Sequence, residues 1–111
     1  MDYQKLFDIY WKQFIIGHLY TNENKEYIFK YELKGLEEAK KQGFTYIVGF
    51  NDIEKEYISK SLFPVLKSRI PPKNRHNIEQ ILEELKLEKY DELEILKRTK
   101  GKCVTDNYEV R

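Results

Sequence analysis

The side chains best suited to metal ligation or nucleophilic chemistry are few: two histidines, His18 and His76, and a single cysteine, Cys103. A metal centre needs clustered His, Cys or carboxylate ligands, and neither histidine has a ligand-spaced partner. His18, inside an apolar run, reads as a half-buried or solvent-facing strand residue, and His76 as a surface residue at a helix N-terminus. Cys103 has no neighbouring base and reads as a small buried hydrophobe. Five scattered glycines supply no phosphate loop, dinucleotide fingerprint or nucleophile elbow. The paired carboxylates Glu37-Glu38 and Glu83-Glu84 fall on solvated helix faces. The sequence therefore assigns no catalytic residue, no metal and no cofactor, and the expectation is a binding protein rather than an enzyme.

The run with the strongest binding character is Ser61–Arg75, SLFPVLKSRIPPKNR. An apolar cluster (Leu62, Phe63, Val65, Leu66) is interrupted by Pro64 and closed by Pro71-Pro72 among basic residues. Proline is tolerated in the first turn of a helix, where its missing N–H has no intrahelical partner. With Ser61 as N-cap, Leu62 to Ile70 is expected to form about two and a half turns, ended by the double proline. Leu62, Val65, Leu66 and Arg69 recur at helical spacing. Two readings stand: a core helix with a proline stop, or a cationic hook presented to a partner. In the second, the contact residues are Trp11, Phe63, Pro64, Leu66, Arg69, Ile70, Pro71, Pro72 and Arg75.

The elements that would position this segment follow from periodicity. Leu6–Trp11, Phe14–Tyr20 and Tyr27–Leu33 alternate as strands joined by Lys12-Gln13 and by TNENKE, in which Asn22 and Asn24 can take left-handed conformations. Gly17 marks a bulge or a close backbone approach. Leu33, Leu36 and Ala39 then fit a short helix ending at Gly43. Phe44–Phe50 reads equally as a buried strand or an extended apolar loop, and Asn51–Ser59 as a polar approach anchored by Ile53, Tyr57 and Ile58. Asn77 or Asn74 caps a helix with an Ile78, Ile81, Leu82, Leu85 stripe. Asp91 caps another that is closed by Gly101, with Lys97, Arg98 and Lys100 favourable against its dipole. Cys103–Val110 is a terminal strand, with Asp106 out of place on its apolar face. The fold class is α+β: an antiparallel sheet from a three-strand meander plus the C-terminal strand, with three to four helices packed against one face.

At 111 residues the chain is expected to be one domain, residues 1–111, able to bury a core without disulfides. One cysteine fits a reducing compartment, and the charged N-terminus does not read as a signal peptide, so a cytoplasmic location without a membrane partner is expected. The charges balance, 20 basic against 19 acidic. That disfavours broad phosphate-backbone binding, although Lys67, Arg69, Lys73 and Arg75 cluster locally. Nine tyrosines and six phenylalanines suggest a tightly packed sheet with aromatic surface.

The order of these motifs resembles N-terminal subdomain 1 of HipA-type serine/threonine kinase toxins. The residues that carry it are Phe29 and Tyr31, Leu62-Phe63-Pro64, Ser68 to Pro72 with Arg75, Asp91 to Leu96, and Gly101. Where that family has Glu-Gly after the proline, this chain has Pro72-Lys73. Because the chain stops at Arg111, it is similar to the free-standing HipS-like antitoxins of split systems. The resemblance implies a partner, a HipA-type kinase toxin lacking its own N-terminal subdomain, with a helix-turn-helix protein reached through the kinase. Gly101, Thr105, Asp106, Glu109 and Val110, with the Leu-Phe-Pro run, also resemble the module preceding HIRAN domains in DNA-associated proteins. The expected function is a non-catalytic antitoxin that docks on the kinase and inhibits it. The alternatives are a nucleic-acid-associated module and an inhibitor of another enzyme.

Overall fold

The structure, a computed structural model, describes residues 3–47, 49–102 and 107–111. Alternating apolar residues build β1 (Gln4–Trp11) and β2 (Phe14–Thr21), joined by a two-residue turn in which Lys12 takes a positive φ of 55°. Two register irregularities interrupt the pair, one at Leu6 and one at Ile16, and such bulges strengthen local twist. β3 (Tyr27–Tyr31) completes the meander. In the intervening turn Asn22 Oδ1 accepts from the backbone N–H groups of Asn24 and Glu26, while the left-handed residue is Lys25 rather than either asparagine.

Among the described residues the sheet has five strands rather than the expected four. Tyr57–Ser59, inside the stretch read as a polar approach, forms β4 against β3, and Tyr108–Val110 forms β5 against β1. The order is β4-β3-β2-β1-β5 with every pair antiparallel. Four helices are present among the described residues: α1 (Leu33–Lys41), α2 (Pro64–Lys67), α3 (Ile78–Glu84) and α4 (Glu92–Thr99). The α+β class holds. Three expectations, for Cys103 as a buried hydrophobe, for Val104 on the last strand and for Asp106 on its apolar face, lie outside the described residues.

The core lies between one sheet face and the helices. Phe7, Ile9, Leu19, Phe29, Tyr31 and Val110 meet Leu36 and Ala39 of α1, Leu66 of α2, and Ile95 and Leu96 of α4. Leu33, expected in the α1 stripe, is instead exposed. Two glycines make close approaches possible. A Cβ on Gly17 would fall 2.5 Å from the Phe29 ring, and one on Gly35 would fall 1.6 Å from the Ile15 carbonyl oxygen. α1 thus lies on the β2 backbone at a point where any side chain is excluded.

Among the described residues between 44 and 50 no strand forms, so the loop reading holds: Phe44, Ile47 and Phe50 are buried, and Ile47 and Phe50 meet through an isolated bridge. Buried backbone outside a ladder must find partners elsewhere. Here the Tyr31 hydroxyl supplies two, accepting from the Ile47 N–H at 3.0 Å and donating to the Phe50 carbonyl. Burial pushes the Tyr31 phenol up to about 12.

Two outcomes follow from this packing. Gly35→Ala, which helix propensity alone would favour by about 1 kcal/mol, is expected to destabilise by about 2 kcal/mol or more, because overpacking onto a carbonyl outweighs propensity. Urea denaturation reads the sign directly. Tyr31→Phe leaves a buried N–H and C=O unpaired and is expected to cost about 2 kcal/mol. The Tyr31 contribution is complete below the ordinary tyrosine value of 10. It is lost as pH rises from there through the folded value, because the unfolded chain releases the proton first. The stability gap between wild type and Tyr31→Phe is therefore expected to narrow above pH 10.

Candidate functional site

The proline-bounded segment starts later than its composition suggests. Ser61 is not the N-cap; α2 is one turn, Pro64–Lys67, with Phe63 as N-cap in extended conformation (φ −60°, ψ 141°) and Pro64 at the first helical position. The reason is steric, since a residue before proline is driven out of the helical region. The chain leaves α2 through tight turns, Arg69 N–H to Leu66 O and Ile70 N–H to Lys67 O, and turns again where Arg75 N–H meets Pro72 O. Tyr90 fastens the exit by donating its hydroxyl to Pro71 O at 2.8 Å. Burial first, and the Glu92 charge second, raise that phenol, so it stays a donor.

Beside α2 runs an open groove of about 640 Å³, lined by Phe50, Tyr57, Ile58, Phe63, Pro64 and Val65, with Gly49 and Ser68 at its margin. Phe50 is the centre of an aromatic cluster: it stacks on Phe29 (4.3 Å between centroids, 11° between planes) and meets Phe63 edge-on at 5.0 Å and Tyr57 at 4.8 Å. Such pairs hold ring orientations as well as burying area, so the wall is preformed. β4 forms the sheet-side edge of this groove, and Ile58 on it is 54% exposed.

The nine residues marked from sequence are not one patch. Phe63, Leu66 and Ile70 are core residues, 6%, 3% and 6% exposed, although Phe63 also lines the groove with Pro64. Pro64, Pro72 and Arg75 are exposed, and Pro71 is intermediate. Arg69 is half-buried, donating to Gly101 O at 2.9 Å and lying 4.9 Å over the Tyr108 ring. Trp11 is half-buried against Phe44 at 5.1 Å and is paired with Tyr108 of β5, on the opposite side of the sheet from β4. The groove residues Phe50, Tyr57, Ile58 and Val65 went unmarked. The one available signal was the short apolar pair Tyr57-Ile58 between polar residues.

The face of the sheet turned away from the helices carries a polar constellation that spacing did not reveal. His18 is half-buried, its Nδ1 2.7 Å from Asp8 Oδ1 and its Nε2 2.9 Å from Glu32 Oε2. Carboxylates only accept, so both contacts are hydrogen bonds when both ring nitrogens carry protons. Burial acts to raise the Asp8 carboxyl, but hydrogen bonds from His18 and Lys5 outweigh it and hold it below the usual carboxylate range. The two carboxylates sit at opposite ends of the ring, which suits a structural tie rather than a centre converging on one atom. Among the described residues no group of three or more His, Cys, Asp or Glu side chains is placed so that it could hold a metal ion, and no helix is long and apolar enough to cross a membrane.

A family model described as HipA N-terminal domain matches residues 7–104 of the 111-residue chain. No curated protein and no solved structure matches the chain.

The double engagement of Arg69, a hydrogen bond to Gly101 O and stacking on Tyr108, ties the end of α2 to β5 and the end of α4. Arg69→Ala is expected to lower stability by about 2 kcal/mol. Arg69→Lys should recover less than half of that, since an ammonium lacks the planar fork. Thermal or chemical unfolding of the three proteins measures both.

Proposed function

We propose a function from one premise: the chain belongs to the HipA N-terminal domain family. It is not itself a kinase domain. The reading we draw is a non-catalytic, antitoxin-like protein that binds a HipA-type serine/threonine kinase toxin lacking its own copy of this domain, and holds the kinase inactive. The observation that carries it is the family match over residues 7–104. Support comes from the shape of the α2 region, where a preformed aromatic wall and outward-facing prolines offer a surface for a protein partner. Balanced charge supports a protein partner over nucleic acid, because phosphate neutralisation needs a net cationic face.

Contact is assigned to the edge of Phe63, to Pro64, and to the Pro71–Arg75 exit with exposed Pro72 and Arg75, while Leu66, Arg69 and Ile70 hold that edge from beneath and Trp11 contributes at the far side of the sheet. Inhibition needs no reactive group: covering the kinase site, or fixing its lobes, is enough. A helix-turn-helix protein would join through the kinase.

Co-expression with such a kinase is the test. The expected result is a complex that survives salt on the order of 1 M, where screening length is about 3 Å, together with suppressed kinase autophosphorylation. Arg75→Ala should weaken the complex by about 2 kcal/mol if it is an interface anchor. A kinase that neither co-purifies nor loses activity would overturn the reading. So would an isolated chain that binds DNA with an affinity falling steeply in salt.

A further inference from the structure

The groove beside α2 shares its wall with the edge of the sheet, and that decides the form of an occupant. β4 is the terminal strand, paired with β3 through Tyr27–Ser59, Ile28–Ile58 and Phe29–Tyr57, and among the described residues no strand lies on its outer side. An edge strand presents a row of backbone donors and acceptors, and an apolar residue exposed on one is an aggregation hazard unless something covers it. Of the large hydrophobics exposed among the described residues, Leu33, Tyr46 and Ile58, only Ile58 lies on a strand. Directly beyond that edge, Phe50, Phe63 and Val65 line the groove.

We infer that the groove takes an extended segment of a protein partner, added antiparallel or parallel to β4 as a sixth strand. Alternate apolar side chains of that segment enter between β4 and α2, and the others cover Ile58. Backbone pairing with the edge would supply affinity and the apolar wall would supply selection, as in other strand additions. Charge adds a further preference. Lys60 directly follows β4 and Lys67 ends α2 beside the lining residues, both are exposed, and neither has a carboxylate partner among the described residues. The segment is therefore expected to carry Asp or Glu beside its apolar positions. A helical occupant cannot use the strand edge, and a nucleic acid has no peptide backbone to pair with it. The inference gives the mode of contact for the kinase complex proposed above and rests on that reading only for who supplies the segment.

Two arms separate the questions. In the first, a displayed library of random peptides of about ten residues, the length of a strand with its flanks, is selected on the full chain. Selected peptides are expected to show alternating apolar residues with acidic neighbours. Their affinity should fall at least about tenfold, or 1.4 kcal/mol, on Ile58→Asp of the chain and on N-methylation of alternate peptide amides. Ile58 is exposed, so the variant is expected to keep its fold, and circular dichroism with unfolding checks this. Failure to select any peptide, or selected peptides indifferent to both changes, would overturn the inference. So would a chain that dimerises in solution through β4 and becomes monomeric on Ile58→Asp, since a second copy would then own the edge. In the second arm, a kinase that binds wild type and Ile58→Asp equally would overturn the groove while leaving the proposed function standing. A kinase that binds neither removes the proposed function, and the peptide arm still judges the groove.

Discussion

One phenolic oxygen lets an irregular stretch of chain serve as core. Residues 44–50 put Phe44, Ile47 and Phe50 under the sheet without a ladder to satisfy their backbone, and unpaired buried amides cost roughly 1–3 kcal/mol each. Tyr31 answers this from the end of β3, bonding Ile47 N–H and Phe50 O with the same hydroxyl. The consequence reaches the surface. Phe50, fixed through its carbonyl, stacks on buried Phe29 and orients the rings of Tyr57 and Phe63, which line the groove with it. The candidate site is thus shaped by a buried hydrogen bond rather than by its own exposed residues.

Local signals carried much of the fold because several elements declare themselves within a few residues. Period-two alternation marks the hairpin of β1 and β2. Asp91, whose carboxylate accepts from the N–H groups of Leu93 and Glu94, starts α4 as expected. The helix ends at Thr99, and Lys100, read as part of the last turn, is instead the left-handed C-cap (φ 59°) just before Gly101 (φ 60°). What stayed hidden depends on distant partners. β4 is three residues long and becomes a strand only through pairing with β3. The excluded side chain at Gly35 depends on a carbonyl of β2, and the fate of 44–50 on a tyrosine sixteen residues before Ile47. The candidate site follows the same division. Phe63 and Pro64 stand out by composition, whereas Phe50, Tyr57 and Ile58 join them only when the sheet closes.

Pro64 shows how one local constraint serves two levels. By forcing Phe63 into extended backbone it delays the helix by two residues relative to a start at Leu62. Leu62 and Phe63 then both point into the core from irregular chain, 3% and 6% exposed, while Pro64 faces outward at the groove. A longer helix would have placed Phe63 on a different side from Leu62 and Leu66, and the edge-on contact with Phe50 would be lost.

The two edges of the sheet are built differently, and this asymmetry gives the molecule a direction. On β5, Glu109 is held by Lys102 at 3.5 Å and Arg111 at 2.6 Å, and Arg111 lies 4.2 Å over the Tyr10 ring. The Arg111 hydrogen bond holds the Glu109 carboxyl below its usual range against the opposing effect of burial. Charges of this kind on an edge discourage a further strand. β4 instead sets an exposed isoleucine beside an apolar groove. If both edges were equally open, the chain could add strands on either side and assemble without limit. With one edge charged and the other apolar, strand addition is favoured at β4 over β5.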